Sequence, residues 1–149
     1  MTFPSSSDQR CKDLLDSSIA DLKRISDHYK IEDLQSNFFK DIVIPISLYL
    51  DSFPKRKHPY LICFTGGQGS GKTTMSYFVQ ELLSNHCGRP STGFSIDDIY
   101  KSQEERKKLS EEVHHLCYIR GVPGTHNIAM GLDLIEELSA ADVSSITKI

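Results

Sequence analysis

Eight residues, Gly66–Thr73, read Gly-Gly-Gln-Gly-Ser-Gly-Lys-Thr and constrain this chain more than any other segment. They match the pattern G-x-x-x-x-G-K-[ST] at every position. Closely spaced glycines reach backbone conformations that a Cβ disfavours, so successive main-chain N–H groups can converge on one point. The run Tyr60-Leu61-Ile62-Cys63-Phe64 precedes the loop and is continuously apolar, as in a central parallel strand covered on both faces. After the loop, Met75, Phe78, Val79, Leu82 and Leu83 recur at helical steps and stop before the turn-forming Gly88-Arg89-Pro90. Strand, glycine loop and helix in succession present amides and a helix dipole to an anion.

That chemistry assigns expected roles. Gly66, Gly67, Gln68, Gly69, Ser70 and Gly71 would surround the phosphates of ATP, with Lys72 on the β/γ-phosphates and the Thr73 hydroxyl on Mg²⁺. Thr74 adds a further phosphate contact or serves only as the first-turn residue of the helix. A glycine-rich turn with no ligand is the bland reading of the same pattern.

A second short strand, Thr92-Gly93-Phe94-Ser95-Ile96, is predicted to end in Asp97-Asp98, the edge at which open α/β sheets bind ligands. A carboxylate there can take the proton of an attacking hydroxyl or hold Mg²⁺ through water, and Asp97 is preferred over Asp98. Both could instead be turn aspartates that cap the next segment. Arg120-Gly121-Val122-Pro123-Gly124-Thr125-His126-Asn127 gathers a cation, a rigid loop and several donors. Arg120 can fork onto a carboxylate or phosphate, and Thr125 and His126 can hydrogen-bond an acceptor substrate. Equally, Thr125 or Asn127 can cap the following helix.

The rest of the 149-residue chain is predicted to fall into an N-terminal helical segment and linker, 1–58, and a core, 59–149. Leu14, Leu15, Ile19, Leu22 and Ile25 give one amphipathic helix. Ile42–Leu50 gives another, with Pro45 in its first turn, running to about Phe53. Ser102 and Glu105 have capping-box spacing ahead of Leu109, Val113 and Leu116. Ile128, Leu132, Ile135 and Leu138 mark a last helix, and Val143–Ile149 is β-branched enough to begin a third strand. The expected fold is therefore α/β, a three-layer arrangement of P-loop NTPase type with a parallel sheet, truncated after its second or third strand.

Composition narrows the function classes. A net charge of −3 and a pI of 6.0 do not suit a protein that coats nucleic acid, and Lys55–Lys57 read as a solvated loop between two prolines. Residues 1–10 carry no secretory pattern, and Ile42–Leu50 is too short to span a bilayer. A cytoplasmic protein without membrane or nucleic-acid partners is expected, with the nucleus or an organelle as alternatives. Cys11, Cys63, Cys87 and Cys117 lack paired spacing and read as free thiols.

Three motifs taken in order, GGQGSGKTT at Gly66–Thr74, SIDDIY at Ser95–Tyr100 and RGVPGTHN at Arg120–Asn127, resemble the glycerate kinase-like branch of the phosphoribulokinase/uridine kinase group. That branch includes plant-type D-glycerate 3-kinase and the fungal ATP-binding kinase-like proteins. The resemblance spans roughly Pro59 to Leu138 and implies an ATP- and Mg²⁺-dependent kinase acting on a small hydroxylated metabolite, D-glycerate first. It implies Asp97 as the carboxylate that activates the acceptor hydroxyl, with Arg120 and His126 on the substrate side; with Lys72 of the loop, Asp97 makes the expected catalytic pair, and Asp98, Tyr100 and Thr125 are further candidates for the substrate side. The family's third motif usually ends in an acidic residue where this chain has Asn127, and the family continues into further strands and a lid. Two other classes are consistent with the same motifs: a nucleotide-binding module or ATPase acting on a protein partner, and an incomplete chain without activity.

Overall fold

The polar residues that punctuate the chain decide where its helices start. Asp8 caps α1 (Gln9–His28) by accepting a hydrogen bond from the Arg10 amide at 3.2 Å. The buried stripe of α1 is Cys11, Leu14, Ser18, Leu22 and Ser26, stepping by three and four. Ser18 and Ser26 are tolerated there because each hydroxyl donates to the carbonyl four residues back, at 2.6 and 2.8 Å. In a computed structural model, residues 2–31 and 36–140 are described.

The next helical stretch comprises α2 (Ser36–Phe38), a π-helical turn (Phe39–Val43) and α3 (Ile44–Asp51). Pro45 has no amide to give, and its ring crowds the carbonyl four residues earlier. The preceding turn is widened accordingly, with the Ile44 amide bonded to the Phe39 carbonyl, and α3 begins with the proline in its first turn. Helix α4 (Lys72–Glu81) follows the glycine loop and passes into a second π-helical turn, Leu82–His86.

These helices pack directly on one another. Phe78 of α4 is fully buried, with its ring edge-on to Phe39 at 5.0 Å, and is joined in the core by Leu14, Leu22, Val43, Ile44, Leu48, Val79 and Leu82. Polar ties surround this core. Arg24 bridges Asp21 at 3.1 Å and Glu81 at 3.0 Å, and His86 meets Asp21 at 3.1 Å. Arg89 closes the α4 end onto the α3 end, holding the Asp51 carboxylate at 2.8 Å and the carbonyls of Asp51 and Phe53.

The expected parallel sheet is not formed: among the described residues there is no strand, and β-type pairing is confined to an isolated antiparallel bridge between Tyr100 and His126. Among the described residues Tyr60–Phe64 pairs with no neighbour as a strand, and Leu61 is 67% and Ile62 41% exposed, so it is not the buried central strand its apolar run suggests. An extended segment becomes a strand only when a neighbour completes its hydrogen-bond ladder. The second candidate strand does not provide one. Ser95 and Asp98 form a capping box that winds Ile96–Ile99 into a 3₁₀ turn, so the expected strand's last residue is helical and only Ser95 before it is recorded as extended. The third, Val143–Ile149, lies outside the described residues.

The chain divides into two compact units, Met1–Gly93 and Phe94–Ile149. The second contains the Ile96–Ile99 turn, α5 (Gln103–Glu112), a 3₁₀ turn (His115–Tyr118) and α6 (Ile128–Ala140). The Ser102–Glu105 capping box opens α5 as its spacing predicts, with Ser102 Oγ accepting from the Glu105 amide and Glu105 accepting from the Ser102 amide. The helix ends before Val113, which is 69% exposed, and Leu116 falls in the following turn. The buried side chains here are Ile99, Cys117 and Thr125, fewer than in the first unit.

Candidate functional site

The glycine loop is built as its sequence requires at the two positions that matter most. Gly69 (φ 74°) and Gly71 (φ 79°) both adopt left-handed backbone conformations, and Gly71 is the residue from which α4 departs. Gly66 answers to a different constraint, since a Cβ there would stand 2.7 Å from Ser70 Oγ. The loop closes on itself through the Ser70 amide to the Gly67 carbonyl at 3.3 Å, and the Gly71 carbonyl accepts the first helical bond from Met75 at 2.8 Å.

Lys72 folds back over this turn and donates from Nζ to the Gly67 carbonyl at 2.7 Å. The ammonium thus sits on the loop itself, the place from which it can exchange a carbonyl partner for a phosphate oxygen. Thr73 is exposed in the first turn of α4, and Thr74 is half-buried. A cavity of about 550 Å³ opens against the loop, lined there by Thr65, Gly66, Ser70, Gly71, Lys72 and Thr74. Its remaining wall is apolar, and the N-terminal part of the chain supplies some of it through Ile31, just past the end of α1, Phe38 of α2 and Ile46 of α3. Sequence reasoning assigned no role to Ile31 or Phe38 and read Ile42–Leu50 as a helix facing the core; positions 20 or more residues upstream carry no signal for the loop.

The remaining expected site residues belong to the second unit. Asp97 is exposed, and its amide donates to Ser95 Oγ at 3.2 Å, which leaves the carboxylate facing water. Asp98 is engaged, accepting from the Ser95 amide at 2.8 Å within the capping box. Tyr100 and His126 are brought together by the antiparallel bridge, flanked by the Lys101 amide to the Thr125 carbonyl at 2.9 Å and the Asn127 amide to the Ile99 carbonyl at 2.7 Å. Their rings stack with centroids 4.0 Å apart, and the Arg120 guanidinium lies 5.3 Å from the Tyr100 centroid.

Tyr100, Arg120 and His126 therefore form one cluster, of which Arg120 is exposed and without an ion pair among the described residues. Thr125 stands apart chemically: fully buried, its hydroxyl donates to the Val122 carbonyl at 2.6 Å and fixes the loop. His126 Nε2 is sealed from solvent and has no hydrogen-bond partner among the described residues, and the ring contributes a face to Tyr100. Asn127 caps α6, its Oδ1 accepting from the Met130 amide at 3.2 Å, a task a short amide performs as well as an acid.

No protein-family model matches this chain, and the searches of curated proteins and of solved structures return no match. Among the described residues no group of three His, Cys, Asp or Glu side chains is arranged to hold a metal ion, and no helix is long and apolar enough to cross a membrane.

Proposed function

We propose that this chain binds the phosphates of ATP at Gly66–Thr73 and transfers the γ-phosphoryl group to a hydroxyl of a small metabolite, as a kinase of the glycerate kinase-like branch with D-glycerate as the first acceptor to test. The observation that carries this reading is the loop: a complete G-x-x-x-x-G-K-T pattern, left-handed at Gly69 and Gly71, leading into α4 with Lys72 Nζ 2.7 Å from a loop carbonyl. A phosphate oxygen is a stronger acceptor than that carbonyl, so the ammonium gains a charge-assisted bond on exchange.

In this reading the loop amides and Lys72 neutralise charge that grows on the transferred group and on the departing ADP. Asp97, exposed and with no side-chain hydrogen bond among the described residues, accepts the proton as the acceptor oxygen bonds to phosphorus. The Thr73 hydroxyl is the protein ligand suited to Mg²⁺, which supplies further neutralisation of the phosphates; this cation characteristically takes most of its ligands from phosphate and water. Arg120, exposed beside Tyr100, is suited to a carboxylate on the acceptor.

The test is acceptor-dependent turnover by the full chain, followed by ³¹P NMR with ATP, Mg²⁺ and a panel of hydroxy acids and polyols. Lys72→Ala and Asp97→Asn should each reduce product formation by about 100-fold or more while leaving the helical circular dichroism unchanged. ADP release that is the same with and without every acceptor would overturn the kinase reading and favour an ATPase or a binding module.

A further inference from the structure

Tyr29, the residue that closes α1, and Tyr77, within α4, stack with ring centroids 4.8 Å apart and planes 11° from parallel. Their rings reach solvent, at 44% and 39% exposure, whereas Leu22 of α1 and Phe78 of α4 are fully buried in the core the two helices share. The α1 side of the pair is held in place: the Tyr29 amide donates to the Ile25 carbonyl at 3.0 Å, and His28 stands edge-on to the Tyr29 ring at 4.8 Å. Loss of solvation, and next the Tyr77 side chain, raise the Tyr29 hydroxyl above its ordinary value. Of the six tyrosines, these two are the pair whose rings meet each other among the described residues; Tyr49 and Tyr60 meet Phe53, and Tyr100 meets His126.

Two phenols held this close, open to solvent and on separate helices, suit radical coupling. We propose that Tyr29 and Tyr77 are an oxidative crosslinking site, at which a one-electron oxidant of the peroxidase class joins the rings as dityrosine and ties α1 to the helix that leaves the glycine loop. Each phenol gives up one electron and one proton and becomes a phenoxyl radical. The two radicals form one carbon–carbon bond between ring positions next to the oxygens, and the hydrogen on each joined carbon then moves to oxygen, restoring both phenols. Two electrons and two protons leave in all, and they reduce one hydrogen peroxide to two waters. Exposed side chains reorient within nanoseconds, so the rings can turn edge to edge while their helices stay packed. Proximity of this kind favours coupling within the chain over coupling between chains.

The test is oxidation of the full chain with peroxidase and hydrogen peroxide, with the exposed Cys63 alkylated beforehand so that its thiol does not consume radicals. Dityrosine fluorescence per chain should stay constant over an about tenfold dilution, since coupling within one chain does not depend on concentration. Peptide mapping by mass spectrometry should find the Tyr29 and Tyr77 peptides joined and lighter by two hydrogens than their sum. Tyr29→Phe and Tyr77→Phe keep a stacked ring and should leave the helical circular dichroism unchanged, yet each should lower the fluorescence by at least about tenfold. Tyr118 is 46% exposed without a tyrosine beside it, and Tyr118→Phe should leave the signal unchanged. The crosslinked chain should unfold at a higher urea concentration than the untreated one, because the new bond constrains the unfolded state. A yield that falls with dilution, a crosslink mapped to another tyrosine, or no dityrosine where free tyrosine couples under the same conditions would each overturn the proposal.

Discussion

Cys87 lies half-buried at the end of the α4 stretch, where loss of solvation, and next the Asp51 carboxylate, push its thiol up to about 11. Burial also raises the Cys11 thiol, and Cys117 is buried in the second unit. Cys63, in the segment before the glycine loop, is exposed. The thiolate is the reacting form, and access limits the rest, so iodoacetamide at neutral pH should modify Cys63 first and the other three thiols slowly until denaturant is added. Mass spectrometry of the labelled peptides checks the order; rapid labelling of Cys87 in the folded chain would contradict it. The free-thiol state of the described chain was legible from spacing, whereas the exposure of Cys63 was not. Its neighbours Leu61, Ile62 and Phe64 describe a core position, and the sequence holds no sign that the segment goes unpaired.

At the scale of elements, the signals that survive are those a helix end makes with its own neighbours. Pro45, Gly71 and the Ser102–Glu105 pair act where their spacing places them, and Asp8 caps α1 in the same way, because a cap satisfies backbone groups within three or four residues. The last of these carries a pH dependence. Hydrogen bonds from the Ser102 side chain and backbone hold the Glu105 carboxyl below its ordinary range. A carboxyl with a lowered folded value contributes its full stabilisation above the unfolded value and loses it as pH falls through the folded one. The start of α5 should therefore fray in the acid range below the ordinary glutamate titration. The Glu105 amide shift by NMR should follow that titration, and in Glu105→Gln the acid-dependent component should disappear. Apolar stripes are a weaker signal: α1 buries Ser18 and Ser26 in line with Leu14 and Leu22, while Ile19 of the expected stripe is 36% exposed.

For the whole molecule, burial is concentrated in the Met1–Gly93 unit, where Leu22, Val43, Ile44, Phe78 and Leu82 are fully buried, while α5 buries no residue at all. Local opening follows such differences, so amides of Phe78, Val79 and Leu82 should exchange with solvent at least about tenfold more slowly than those of α5. Hydrogen exchange read by NMR decides this, and equal protection in the two units would show that they unfold together. The same contrast separates what each level of description can supply. The sequence by itself determined the glycine loop, the helix that leaves it, Pro45 in the first turn of α3 and the Ser102–Glu105 box, since these depend on sterics and hydrogen bonds among residues a few places apart. Only the tertiary structure decided that the apolar run before the loop has no strand partner among the described residues, that helices pack around Phe78, and that Ile31, Phe38 and Ile46 stand against the glycine turn. Pairing and packing join residues far apart in the chain, and a strand or a cavity wall exists only through the partner it meets.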